Sequence, residues 1–312
     1  MPRCLRFWMV MVALALSAEA HARTLVVGKG QEFEQPSAAA ASATDGDRVT
    51  IQPGEYFDCA VWKANGLVVE GAGDPAAVVI TDKSCQGKAL FVTQGDHITI
   101  RNLTLTRARV PDGNGAGIRA EGQDLLVEGV RFINNQNGIL SGAQGGAMTV
   151  RDSLFERNGT CEAACAHGMY VNHLDFLKVE RSRFVGTKQG HHIKSRARRT
   201  EVTDAVIEDG TEGTASYAIE VPNGGTLIVR GTSIQKGPKA DNHSAAIVIG
   251  AEGVTQRTEE ITIEDNTFHN DGPWETVFVN NLTATLAVLR GNRLSGLVRP
   301  LRGDGQVVAT GQ

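Results

Sequence analysis

Bulky aromatic side chains are scarce in this sequence, since phenylalanine, tryptophan and tyrosine together make up 5% of its 312 residues. Only nine prolines are present, and no proline-, serine- or charge-rich linker divides the chain. The scarcity of rings argues against long helices packed around bulky side chains, and the lack of a linker argues against two domains. Glycine is abundant instead, with 36 residues, which is typical of many tight turns between short strands.

A long apolar run occurs only near the N-terminus. Two arginines precede this run at 7–16, and small residues follow it. The order is typical of a secretory signal peptide, so the sequence predicts a signal over 1–22 and one mature domain over 23–312. Because no later run is long enough to span a bilayer, we expect a soluble protein that is secreted or periplasmic.

Cysteine is also sparse, and one of the five cysteines lies in the predicted signal. The other four are Cys59, Cys85, Cys161 and Cys165. An oxidising compartment favours disulfides, so we expect the pairs Cys59–Cys85 and Cys161–Cys165. A metal site is the alternative for Cys161 and Cys165 with His167 as a third ligand, but the isolated histidine and the exported setting favour the disulfide.

A repeat occupies most of the remaining sequence. Its unit reads apolar, any, apolar, two polar residues or glycines, any, any, apolar, as in 98–105. The intervals between the last apolar residues of successive units are 27, 23, 29, 23, 27, 34 and 26. Each interval fits one coil of a solenoid. Alternation within each half-unit indicates a strand with one inward face, and the polar pair, such as Arg101 and Asn102, marks a bend.

Each coil also contains a third apolar segment, as in 117–120 and 138–141. Three strands per coil predict an all-β fold, a single-stranded right-handed parallel β-helix, or solenoid. The alanine-rich segment 35–43 predicts a short N-terminal helix that caps the open sheet edge. Recurrent amphipathic helices and Trp-Asp blade signatures are missing, which excludes βαβ and propeller folds.

The segments 25–30 and 45–56, with the alanine-rich cap between them, resemble the start of pectate-lyase-like right-handed parallel β-helix proteins. The resemblance extends over almost the whole mature chain and implies the same fold. That superfamily includes lyases, hydrolases, esterases, epimerases and adhesins, so the function has to be argued from the residues of the site.

Alignment of the third strand in successive coils places polar side chains on one outward face. One outward column contains Arg119, Tyr170, Lys194 and Glu220, and the column two residues earlier contains His192 among glycines and alanines. Between residues 178 and 199, eight basic residues accompany one acidic residue, a concentration that favours an anionic ligand. Further candidates near this face are His167, His173, His191, Arg196, Arg198 and His243.

These residue types suit β-elimination on a uronic-acid polysaccharide. Arg196, helped by Arg198, would hold the carboxylate; Lys194 or His192 would be the base, and Tyr170 would supply or accept the second proton. The stretches 167–170 and 190–196 resemble the placement of active residues in β-helix alginate lyases and mannuronan C5-epimerases. We therefore expect a secreted polysaccharide lyase that acts as a monomer on an anionic polysaccharide, with no metal, cofactor or nucleic acid.

Other interpretations stay open. His173 and His243 suit structural hydrogen bonds, Arg198 suits a solvated surface, and Glu220 suits a salt bridge to Lys194. A glycosidase needs two or three convergent carboxylates, whereas only Glu220 lies on this face. A uronan C5-epimerase is an alternative, although the epimerase motif Asp-Pro-His-Asp is replaced by 170–173. A non-catalytic cell-envelope β-helix that binds an anionic glycan is the other.

Overall fold

The computed structural model describes residues 22–142, 145–162 and 164–308. The predicted signal peptide lies outside the described residues except for its last position. Three parallel sheets wind into a right-handed β-helix, as the repeat predicted. No helix in the described part of the chain is long and apolar enough to cross a membrane.

The strands are grouped by sheet. Sheet A contains β1 (Thr24–Val27), β2 (Arg48–Ile51), β5 (Val68–Gly71), β8 (Thr99–Arg101), β11 (Leu125–Glu128), β14 (Ala147–Arg151), β19 (Phe176–Glu180), β22 (Arg199–Thr203), β25 (Thr226–Arg230), β28 (Ile261–Glu264), β31 (Ala287–Arg290) and β34 (Gly305–Val308). Sheet B contains β3 (Gly54–Tyr56), β6 (Val78–Thr81), β9 (Thr104–Thr106), β12 (Arg131–Ile133), β15 (Leu154–Glu156), β20 (Arg183–Val185), β23 (Val206–Glu208), β26 (Ser233–Lys236), β29 (Thr267–Asn270) and β32 (Arg293–Gly296). Sheet C contains β4 (Ala60–Trp62), β7 (Ala89–Thr93), β10 (Ala116–Ala120), β13 (Asn137–Ser141), β18 (Met169–Val171), β21 (Ile193–Ser195), β24 (Ile219–Val221), β27 (Ala245–Ile249), β30 (Thr276–Asn281) and β33 (Val298–Arg302).

The repeat positions pair in register along sheet B. Phe132 pairs with Leu105 on one side and with Phe155 on the other. Inside the helix, the rings of Phe132 and Phe155 stack at 4.5 Å, and those of Phe155 and Phe184 stack at 4.4 Å. Each stacked pair stabilises the core by about 1 kcal/mol beyond the burial of its surface. The apolar period therefore sets both the coil length and the core.

The corner between sheets A and B has a constant length from β8 onward, since two residues join each sheet A strand to the next sheet B strand. The first of the two has a positive φ at all eight corners. Asparagine, aspartate and glycine tolerate this left-handed conformation best, and they occupy seven of the eight positions. These corner residues are Asn102, Gly129, Asp152, Arg181, Asp204, Gly231, Asp265 and Gly291. The bend predicted from the polar pairs is confirmed.

Short elements and disulfides complete the fold. The cap predicted at the N-terminus is α1 (Pro36–Ser42), which contacts β1 and β4. A single 3₁₀ turn, η1 (Pro75–Ala77), precedes β6, and β16 (Thr160–Cys161) pairs with β17 (Cys165–Ala166) in a small antiparallel hairpin. Both predicted disulfides are confirmed: Cys59–Cys85 links the first coils, and Cys161–Cys165 closes the hairpin.

Candidate functional site

The outward column predicted on sheet C lies on adjacent strands. Tyr170 of β18 pairs with Lys194 of β21, and Lys194 pairs with Glu220 of β24. Neighbouring strands lie about 4.8 Å apart, so the three side chains meet. Tyr170 is half-buried, whereas Lys194 is 9% and Glu220 4% exposed. The column is therefore a partly desolvated cluster of polar groups.

The column two residues before Arg119 and Lys194, which contains Gly117 and His192, does not face outward. In β10 and β13, Ala116 pairs with Asn137 and Ile118 with Ile139, but the glycines between them are not paired. A Cβ atom on Gly117 would lie 2.7 Å from a ring carbon of Phe132 inside the helix. Strict alternation fails because the strands bend at this position, so the prediction that this column lies on the functional face is wrong.

His192 belongs to this inward column and is 1% exposed. Its Nδ1 lies 2.8 Å from the Thr187 hydroxyl, and its Nε2 lies 2.8 Å from Asp209 Oδ1. Both ring nitrogens are therefore occupied beneath the surface. The structure corrects the interpretation of His192 as a candidate base, because the ring is a buried structural group with no exposure toward a substrate.

A ladder of rings flanks the Tyr170 column. His167 and His191 stack at 4.9 Å, and His191 and Tyr217 stack at 5.0 Å. The backbone N–H of His191 donates to His167 Nδ1 at 2.9 Å, and that of Tyr217 donates to His191 Nδ1 at 3.2 Å. Each imidazole thus accepts through Nδ1, which leaves the proton of the neutral ring on Nε2. Burial lowers the pKa of both histidines, so they are neutral near pH 7.

Four charged side chains meet at the centre of this face. Lys194 Nζ lies 3.0 Å from Glu220 Oε2 and 2.5 Å from Glu252 Oε1. The other oxygen of Glu252, Oε2, lies 2.5 Å from Arg196 Nη2. Arg196 Nε donates to the Tyr170 hydroxyl at 2.9 Å, and its Nη1 also donates to Asn223. One carboxylate therefore bridges the two cations beside the tyrosine.

Glu220 is the more deeply buried carboxylate. Its Oε2 lies 3.0 Å from both Lys194 Nζ and His191 Nε2, although neither approach has the direction of a regular hydrogen bond. Burial favours the neutral acid, but the His191 ring and the Lys194 charge outweigh it and lower the pKa of Glu220 to about 2. Glu220 is therefore ionised at neutral pH.

Lys194 remains a cation in this setting. Burial acts to lower its pKa, but Glu252 and Glu220 outweigh burial, so the pKa of Lys194 is raised above its usual value. A protonated amine cannot accept the proton that β-elimination removes. The arrangement therefore suits Lys194 for neutralising an anion, whereas the sequence had left it as one of two candidate bases.

The other predicted residues lie away from this cluster. Arg119 is two coils from Tyr170 in the same column, with Nε 3.9 Å from Glu121 Oε1. His173 is exposed, and the exposed His243 ring stacks on Trp274. Arg198 is exposed and pairs with Asp175 at 3.3 Å. None of the four is joined to the cluster by a described contact.

Arg198 lines a separate cleft of about 510 Å³ together with Arg199 and Arg257. The cleft adjoins the central cluster through Gln256, whose side chain donates to the backbone carbonyl of Arg196 at 2.5 Å. Each of these arginines is paired with a carboxylate of its own, in the pairs Arg198–Asp175, Arg199–Glu201 and Arg257–Glu259, so the positive charge at this edge is balanced.

Sequence reasoning missed Glu252, Asn223 and Tyr217. Glu252 lies in the loop at 250–260, outside the repeat, and only the long 34-residue interval indicated extra chain there. Tyr217 is three residues before Glu220, as His191 is before Lys194. This shared spacing is the sequence signal that would have placed Tyr217 in the ladder of rings. In the described residues, no group of three His, Cys, Asp or Glu side chains is arranged to hold a metal ion.

Comparison with known proteins agrees with this architecture. The chain belongs to the family described as right handed beta helix region, whose model matches residues 30–207. No curated protein matches the sequence. The alginate lyase from Paenibacillus sp. str. FPU-7 is similar in structure, with a TM-score of 0.69 and 18% identity over 91% of this chain and 99% of that one.

Two further solved structures are similar. Pectate lyase Pel9A has a TM-score of 0.59 and 15% identity over 90% of this chain and 79% of that one. Endopolygalacturonase I from Stereum purpureum has a TM-score of 0.53 and 11% identity over 88% of this chain and 98% of that one. At these identities the similarity concerns the fold alone, and the three names include both lyases and a polygalacturonase.

Proposed function

We propose that this protein is a secreted or periplasmic lyase that cleaves an anionic uronic-acid polysaccharide by β-elimination. The observation that carries the proposal is the contact between Arg196 Nε and the Tyr170 hydroxyl at 2.9 Å, beside the cation of Lys194. This contact places the Tyr170 hydroxyl, which would transfer the protons, next to Arg196 and Lys194, which would neutralise the carboxylate of the sugar. Alginate lyase and pectate lyase, which share the fold, have names that refer to acidic polysaccharides.

The chemistry requires three events on one sugar. The hydrogen on the carbon that bears the carboxylate leaves as a proton, its electron pair forms the new carbon–carbon double bond, and the neighbouring carbon–oxygen bond breaks. The leaving oxygen then takes up a proton. Lys194 and Arg196 would stabilise the charge that develops on the carboxylate when the proton is removed.

Tyr170 is the group best suited to move both protons. Tyr170 is half-buried on the outward face, and its hydroxyl accepts a hydrogen bond from Arg196 Nε, which fixes its position beside the two cations. As a phenolate it would accept the proton from the sugar, and as a phenol it would return a proton to the leaving oxygen. His192 is buried and Lys194 is protonated, so neither competes for this role.

A second candidate function is binding of an anionic glycan without catalysis. The open cleft lined by Arg198, Arg199 and Arg257 favours it, since guanidinium groups on an accessible surface would bind the acidic groups of a glycan without any proton transfer. A uronan C5-epimerase would use the same proton removal but would return the proton to the opposite face of the sugar. The proton-transfer group beside two cations favours an enzyme over the binder, and the replacement of the epimerase motif Asp-Pro-His-Asp by 170–173 favours the lyase over the epimerase.

The test is incubation of the protein with alginate, pectate, glucuronan and glycosaminoglycans. A lyase produces unsaturated ends that absorb ultraviolet light. Binding without any absorbance change would replace the lyase with the binder. Exchange of the sugar hydrogen with deuterated solvent, without chain cleavage, would identify an epimerase instead.

Export is a separate part of the proposal. Two disulfides are typical of proteins that fold in an oxidising compartment. Expression of the full chain, followed by separation of medium, periplasm and cytoplasm, tests it. The protein should lose its N-terminal segment and leave the cytoplasm, and intact chain retained in the cytoplasm would contradict export.

A further inference from the structure

The bridging carboxylate of Glu252 enters the site from outside the repeat. Its loop at 250–260 joins β27 to β28 and is fixed to the previous coil, where the Glu252 N–H donates to the Pro222 carbonyl at 2.9 Å. The side chain reaches over the sheet face, and its two oxygens contact Lys194 and Arg196 separately. This is how a bound carboxylate ligand would bridge two cations.

The charges of the cluster cancel when Glu252 is in place. Lys194 and Arg196 supply two positive charges, and Glu220 and Glu252 supply two negative charges. The neighbouring histidines are neutral near pH 7, because burial lowers the pKa of each. An incoming carboxylate therefore meets a neutral cluster unless one of the two internal carboxylates moves away.

Burial distinguishes the two carboxylates. The side chain of Glu220 is 5% exposed and lies on a strand of sheet C, whereas that of Glu252 is 41% exposed and lies on a loop. Moving Glu220 into water would break a buried contact, but rotation of the Glu252 side chain alone brings its carboxylate into solvent. Glu252 is the one that can leave without disturbing the sheet.

We propose that Glu252 occupies, in the free protein, the position of the substrate carboxylate, and that the uronate displaces it on binding. This inference rests on the proposed function and specifies the binding mode: one uronate oxygen contacts Lys194 and the other contacts Arg196, next to Tyr170. After the exchange the cluster is again neutral, because one carboxylate replaces another. Neither partly buried cation is left unpaired.

A tethered carboxylate is a strong competitor. An intramolecular group acts at an effective concentration on the order of millimolar or higher. Every ligand that uses the bridging position must overcome this competition, so removing the Glu252 charge should strengthen the binding of acidic oligosaccharides. A residue that only positions Arg196 would have the opposite effect, because its loss would loosen the site.

The experiment measures affinity without turnover. Oligosaccharides prepared from alginate and from pectate are titrated calorimetrically into Tyr170→Phe and into the double variant that also carries Glu252→Gln. The added substitution should tighten binding on the order of tenfold. Glu259→Gln in the same background is the matched control, since Glu259 lies on the same loop, pairs with Arg257 at 3.3 Å and carries the same charge.

Unchanged or weaker binding in the Glu252→Gln variant would overturn the inference, as would an absence of binding in both proteins. Glu252→Ala provides a second variant, and thermal melting of each checks that the loop change leaves the fold intact. If Glu259→Gln strengthened binding as much as Glu252→Gln does, the inference would also be overturned, because the gain would then come from the lost negative charge in general. The proposed lyase activity fails separately, through the absence of unsaturated product from the unaltered protein.

Discussion

The hydroxyl of Tyr170 accepts a hydrogen bond from Nε of Arg196, which follows the adjacent strand of sheet C. If Tyr170 transfers the protons of the elimination, Tyr170→Phe should lower the turnover rate by roughly 10²–10⁴-fold while oligosaccharide affinity is kept. Ultraviolet absorbance of unsaturated ends gives the rate. Tyr217→Phe is the control, since it keeps the ring that stacks on His191. Full turnover by the Tyr170 variant would exclude the role.

Glu220 should make stability depend on acidity. Its folded pKa is about 2, below the ordinary value of 4.5, so its contribution is fully present above pH 4.5 and is lost as the pH falls toward 2. The difference corresponds to about 3 kcal/mol in the free energy of unfolding. Glu220→Gln should therefore be less stable than the unaltered protein at pH 6, and the gap should narrow near pH 3. Urea denaturation at both values measures it, and a gap independent of pH would contradict the assignment.

Replacement of His192 should lower the stability of the protein and leave its turnover rate nearly unchanged. His192→Asn removes a buried ring that contacts Thr187 and Asp209, and it leaves the Asp209 carboxylate poorly paired. We expect a loss of about 3 kcal/mol in the free energy of unfolding. The turnover rate per folded molecule, measured well below the melting temperature, should stay close to that of the unaltered protein. A large fall in that rate with unchanged stability would restore His192 as a candidate base.

The two disulfides should differ in their contribution to stability. Cys59 and Cys85 are 26 residues apart, whereas Cys161 and Cys165 are four apart. Closing the longer loop removes more freedom from the unfolded chain, so its double serine variant should lose about 3.5 kcal/mol and that of the hairpin about 2 kcal/mol. Melting temperatures of the two double variants test the order, and a larger loss from the hairpin pair would reverse it.

The sequence alone was sufficient to predict the length of the coils and the pairing of one outward column of residues. The apolar period fixes which residues pair between coils, and therefore Tyr170, Lys194 and Glu220 were predicted on adjacent strands. It was not sufficient to predict the direction of the His192 side chain, because alternation of inward and outward residues assumes a straight strand. The strands of sheet C bend two residues before the column, and the bend turns His192 into the core.

The repeat could not predict the position of Glu252, for a different reason. A period predicts only the residues that recur, and the loop at 250–260 occurs once. Its path over the face depends on tertiary hydrogen bonds such as those from Thr255 and Gln256 to the Asn223 carbonyl. The basic character of the segment was visible in the sequence, but the acidic partners that neutralise it were not.

The two-residue corner between sheets A and B also determines where this chain can change its length. Coil intervals range from 23 to 34 residues, yet every corner from β8 onward has the same length, so the variation is confined to the segments that flank sheet C. An inserted peptide at Asp152 would disrupt a two-residue corner and the pairing of the strands that it joins, whereas one near Lys239 would lengthen only an exposed turn in the loop before β27. The side of the molecule that carries the candidate site is therefore the side on which new loops can be grafted without rebuilding the core.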